Sequence, residues 1–154
     1  LEFRRVLFRS LMATTYKQEM DAGVAGAIAT TENKDIVSRN VETAAGIGFG
    51  LAVVQGVNDK GIRLPTTGDT KILGVTVLDR TAGDLINGKF QQYESARVMI
   101  KGTIWVQVTE DVKAGDDVAV DLATAKFNKA GVKIANARYE TSAATGGLAQ
   151  IHIK

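Results

Sequence analysis

From residue 47 to its last residue, the chain reads as short apolar runs cut apart by turn residues. The runs fall at 47–55, 72–78, 96–109, 118–122, 132–135, 137–141 and 148–153. Between them stand Asn58-Asp59-Lys60-Gly61, Gly83-Asp84, Asn87-Gly88, Ala114-Gly115-Asp116-Asp117 and Lys129-Ala130-Gly131. Gly, Asn and Asp punctuate β-structure because they tolerate the left-handed backbone or bond their own main chain. No long amphipathic period intervenes to supply helices for the faces of a parallel sheet. The pattern therefore predicts an all-β fold, a small β-barrel or sandwich of short strands. Residues 84–92 form the single candidate helix.

Side chains alternate across a strand, so two runs can be read face by face. Within 103–108, Ile104, Val106 and Val108 share one face, and Trp105 and Gln107 share the other. The aliphatic face is the natural core face. Trp105 then either meets a partner or fills a second layer of core. Within 148–153, Ala149, Ile151 and Ile153 lie opposite Gln150 and His152, and the aliphatic set predicts a core strand close to the end of the sequence.

Residues 12–45 differ in kind, being rich in Ala, Gly and Thr. Small residues bury little area, so the segment has little reason to order alone. It is expected to be an extended arm ahead of a β-barrel domain at 46–154. A first strand and loop of that barrel is the competing reading. Tyr16, Met20, Val24 and Ile28 are the larger groups spaced along it and are its candidate partner-binding residues, together with Trp105. Their spacing also fits one helical stripe, but Gly23, Gly26 and the Thr pairs oppose a stable lone helix. Residues 1–11 are expected to be a non-native leader, since 1–10 resemble one reading frame of a sequencing adapter and a natural start follows at Met12. The competing reading is a basic amphipathic anchor. That stretch carries Arg4, Arg5, Arg9 and Glu2. Without it Lys+Arg falls from 19 to 16, Asp+Glu falls from 17 to 16, and the formal charge falls from +2 to 0. A near-neutral body gives no basic patch for nucleic acid. No run of about 18 apolar residues is present, so no transmembrane helix is expected.

Chemistry is sparsely equipped. The 154 residues, a one-domain length, include no cysteine, so disulfides and thiolate metal sites are out of reach. The one histidine, His152, has no second His or Cys with which to build the usual zinc spacings. Ser38, Ser95 and Ser142 lie in no Gly-x-Ser-x-Gly elbow. Gly46, Gly48 and Gly50 have the wrong spacing for a dinucleotide loop. On a strand they would instead clear one face, letting another backbone or a large side chain approach closely. Asp111, Asp116, Asp117 and Asp121 gather near one turn without a calcium-loop pattern. No catalytic residue, metal or cofactor is assigned, and the chain reads as a binding protein rather than an enzyme.

Several segments resemble, in order, the structural cement (capsid decoration) proteins of tailed bacteriophages. Residues 44–54, AAGIGFGLAVV, look like that family's early strand, Arg63-Leu64-Pro65 like its following loop, and Leu73-Gly74-Val75 like its next strand. Residues 101–106, KGTIWV, look like its central strand, and 112–118, VKAGDDV, like the turn after it. Residues 137–143, ARYETSA, and Gly146-Gly147-Leu148-Ala149 look like its last strands. The resemblance implies a small β-barrel on the outside of an assembled capsid, working as a homotrimer that staples neighbouring copies of the major capsid protein. It also implies a virion protein made in the cytoplasm of a bacterial host. Another virion accessory, of the tail, head-completion or receptor-binding kind, is the alternative. Neither a nucleic acid nor a membrane is an expected partner.

Overall fold

The computed structural model describes residues 16–154. The leader reading at 1–11, and the start of the arm at 12–15, lie outside the described residues. Eleven strands follow in chain order: β1 (Asp35–Val41), β2 (Ile47–Gly48), β3 (Ala52–Gln55), β4 (Gly61–Arg63), β5 (Gly74–Thr76), β6 (Lys89–Phe90), β7 (Ser95–Gln107), β8 (Asp117–Val120), β9 (Phe127–Asn128), β10 (Val132–Tyr139) and β11 (Leu148–Ile153). Among the described residues there is no helix. Residues 84–92, the candidate helix, instead form a turn leading into β6. The Asp84 carboxylate accepts from the Asn87 side chain and main chain, and the Lys89 amide donates to the Asp84 carbonyl. Asx turns of this kind compete with helix for the same backbone groups.

The fold is all-β, and one strand organises it. The first half of β7 pairs antiparallel with β1 and with β5, while β3 joins β5 to β4 and β4 runs parallel to β1. The order β1-β4-β3-β5-β7 thus returns to β1 and closes a five-stranded barrel, which leaves no free sheet edge in that ring. The second half of β7 carries a further sheet, β11-β10-β8-β9. A parallel bridge from Val108 to Phe127 brings β9 back beside the end of β7.

Two apolar clusters fill the molecule. Val41, Ile47, Val53, Ile62, Phe90 and Val98 pack in one. Met99, Ile104, Val106, Phe127, Tyr139 and Ile151 belong to the other. Ile104, Val106 and Val108 are fully buried, and so are Ala149 and Ile151, as the alternation predicts. Each fully buried aliphatic side chain contributes about 1.5–3 kcal/mol relative to exposure.

The segment 12–45 does not behave as one arm. Its last part is β1, a full member of the barrel. Its middle, 23–32, lies along the second half of β7. Residues 16–22 are exposed throughout and form no regular secondary structure. Side-chain area understates this order, because the middle part is held mainly by its backbone.

Candidate partner-binding surface

Backbone bonds place residues 26–29 as an extra antiparallel segment on β7. The Gly26 amide donates to the Trp105 carbonyl at 2.8 Å, the Trp105 amide to Ala27 at 2.9 Å, and the Ala29 amide to Thr103 at 3.0 Å. Ile28 faces Ile104 across this pairing and packs on the larger core cluster. The Leu78 amide donates to the Gly26 carbonyl at 2.8 Å, tying the segment to the barrel.

Two close approaches explain why glycine stands here. Gly26 has φ +84°, and a Cβ there would sit 2.9 Å from the Gly50 nitrogen. Gly50 has φ +69°, and its Cβ would meet the Gly26 nitrogen at 2.5 Å. Both backbones need the left-handed region and both need the missing side chain. Gly46 and Gly50 thus each admit another backbone, but from left-handed positions outside β2 and β3 rather than, as the sequence suggested, from one face of a continuous strand. Gly23 lies over the indole of Trp105, where an added Cβ would come within 2.7 Å of a ring carbon. Trp105 is half-buried on the outward face of β7, covered by the chain's own residues.

A polar cluster closes the far end of this segment. The Thr103 hydroxyl donates to the Glu32 carboxylate. His152 Nδ1 lies 2.9 Å from Thr103 Oγ1 and 3.1 Å from Glu32 Oε1. Thr30, Arg138, Glu140 and Gln150 complete the wall of a cavity of about 270 Å³. The hydrogen bond from Thr103, followed by that from Thr30, holds the Glu32 carboxyl below the ordinary carboxylate range. His152 is therefore a tie to the segment, and its carboxylate and hydroxyl partners were not singled out in the sequence. Only strand pairing brings positions 32, 103 and 152 together, so no local signal could have found them.

Of the sequence-predicted residues, Tyr16, Met20 and Val24 are 84%, 97% and 57% exposed, whereas Ile28 and Trp105 are engaged within the chain. The acids are each otherwise engaged: Asp116 accepts from the Lys113 amide and Asp121 from the Ala123 amide within their turns, Asp111 accepts from the distant Thr145 amide, and Asp117 pairs with Lys133. Among the described residues no group of three or more His, Cys, Asp or Glu side chains could hold a metal ion.

A second exposed apolar set was missed. Ile86 is 99% exposed at the tip of the turn before β6, beside Leu85, and Tyr93 is 74% exposed. Tyr93 has φ +65°, a costly conformation for a residue with a side chain, and it is held by its amide's bond to the Val41 carbonyl at 2.7 Å. The Glu94 carboxylate accepts from the amides of Gly83 and Gln91, pinning the same stretch. The signal was present in Leu85-Ile86, an apolar pair inside turn residues.

The family described as structural cement protein, of phage, matches residues 12–154. A solved chain from the capsid of Myoviridae phage XM1 has a similar structure, with a TM-score of 0.67 and 16% sequence identity. The similarity covers 93% of this chain and 98% of that one, and at this identity it speaks for the fold. No curated protein matches the chain.

Proposed function

Because the chain belongs to the phage structural cement protein family, and is thus a structural protein that binds and stabilises a capsid, we propose that it staples coat subunits from outside the shell. In this reading the partner is the major capsid protein, and the chain works as a homotrimer made in the host cytoplasm and mounted on the virion exterior. It acts by binding, with no catalytic step. The observation that carries the reading is the exposed pair Tyr16 and Met20, leading away from a segment anchored on the central strand. Large apolar groups on a stretch with no packed core of its own give a partner surface something to cover. Ordering on the coat costs free energy, but it lets a small barrel reach over the joint between two subunits. The reaching part is residues 12–22, the barrel is the body, and 23–32 joins them.

The test uses capsids purified without this protein. The full chain should bind them at a copy number comparable with that of the coat subunits. A chain lacking residues 12–22 should melt like the full chain yet bind about a hundredfold more weakly, or about 2.7 kcal/mol. Equal binding by the truncated chain would remove the arm from the mechanism. A few copies per particle would favour a tail, head-completion or receptor-binding accessory.

A further inference from the structure

We propose that residues 23–32 are a releasable strap, whose opening uncovers Trp105 and the edge of β7 and lengthens the reaching arm. Three observations support a separate opening step. First, the strap is attached largely by a few main-chain bonds: Gly26 to Trp105, Trp105 to Ala27 and Ala29 to Thr103 along the edge of β7, and one from Leu78 to Gly26 on its other side. Second, little apolar area holds it. Within it only Gly26 is buried, and the one sizeable side chain packed on the core, Ile28, is itself half-buried. Local opening draws on such segments, because the free energy of opening follows the few buried contacts that must be broken. Third, its end is clasped through a carboxylate that water can reach. Glu32 is exposed, and it meets Thr103 and His152 at the rim of an open cavity.

The steric fit argues that the docked state is nonetheless specific. The Gly26–Gly50 crossing and the Gly23–Trp105 contact accept no side chain without a shift. The edge of β7 therefore accommodates this segment of the chain and few others. A strap both specific and thinly held is a two-state element.

Opening changes the geometry of the arm. With the strap docked, free chain starts at residue 22. With it released, free chain starts near Lys34, where β1 begins to hold the backbone. About ten residues are added, on the order of 30 Å of extended chain. One protein could then reach coat joints of different width. This consequence rests on the arm being the part that binds the capsid, whereas the opening itself does not.

Trp105 is the sole tryptophan, so its fluorescence reports the strap without interference. Amide exchange on the full chain supplies the second reading. In the free protein, the Trp105 and Ala29 amides should exchange at least about tenfold faster than those of Leu73 and Val77, which bond within the barrel. Glu32→Gln should speed the strap amides further and leave Leu73 and Val77 unchanged. Gly26→Val should shift the Trp105 emission to the red while the barrel keeps its cooperative melt. The idea fails if the Trp105 amide exchanges only as slowly as the barrel amides in the native chain. It fails equally if Glu32→Gln speeds strap and barrel amides alike, since 23–32 would then be an inseparable strand. Should Gly26→Val not fold, the native chain and Glu32→Gln still decide the matter. Capsid binding lost with the strap still opening would count against the proposed function and spare this inference.

Discussion

Tyr139 shows how a single polar atom is handled inside this core. Its ring is fully buried in the larger cluster, and its hydroxyl donates to the Asn128 carbonyl at 2.9 Å. Burial first, and the nearby Glu110 and Asp116 carboxylates after it, push the phenol's pKa up. Tyr139→Phe keeps the ring and orphans the carbonyl, which costs about 1–2 kcal/mol. In a chain of this size that is a fall of several degrees in melting temperature. The sign of the pH effect follows from the direction of the shift. The unfolded chain releases the phenolic proton near pH 10, before the folded one does. Stability from this group is complete below about pH 10 and is lost as pH rises beyond it. Thermal melts from pH 8 to 11 should show that decline in the native chain and less of it in Tyr139→Phe. Equal declines would place the titration elsewhere. Trp105 was ambiguous in the sequence between partner face and second core layer. Alternation gives the face, but only the fold reveals that residue 23 lies on it.

At the level of elements, the loop after β4 shows how irregular chain is made rigid. Arg63 donates to both carboxylate oxygens of Asp69 at 2.8 Å, and the Thr66 amide donates to the same carboxylate at 2.7 Å. Arg63 before all else, then the Thr66 amide, holds the Asp69 carboxyl well below the usual range. The fold's preference for the ionised form is thus present above the ordinary aspartate range, near pH 4, and is lost as pH falls below it. Asp69→Asn should open 63–69 to proteases at neutral pH, and a loop equally resistant in both chains would deny the clamp its role. Elements were legible in the sequence where burial has period two. The runs at 96–109 and 148–153 return as β7 and β11, with the expected residues inside. They were illegible where backbone conformation decides. Residues 47–55 break into β2 and β3 around Gly50 at φ +69°, while 132–135 and 137–141 merge into β10 through Asn136 at φ +58°. β1 was hidden for a third reason: Asp-Ile-Val-Ser-Arg-Asn-Val has no clean alternation, and it is buried fully only at Val41. Its pairing with both β7 and β4 supplies what its side chains do not.

For the whole molecule, the arrangement of exposed apolar groups bears on how a shell would be held. A staple must grip on both sides of a joint, because one contact can occupy a coat subunit without resisting its separation from the next. Exposed apolar groups are available on different elements, among them Tyr16 and Met20 on the arm and Ile86 and Tyr93 on the barrel. The barrel set is held on pinned backbone, so its binding would carry little ordering cost, whereas the arm's would carry more. Joined in one chain, the second contact forms at a high effective concentration once the first is made. Binding and stabilisation should therefore separate when one grip is lost. Ile86→Ser with Tyr93→Ser should weaken capsid binding about tenfold, through loss of the barrel grip alone. At concentrations that restore full occupancy, those capsids should still come apart at the temperature of undecorated shells, while capsids bearing the native chain survive to higher temperature. The measurement is a capsid melt followed by light scattering, with occupancy checked on the same sample. If the saturated variant protects the shell as well as the native chain does, Ile86 and Tyr93 are not a grip, and the arm, or contact between copies, must span the joint unaided.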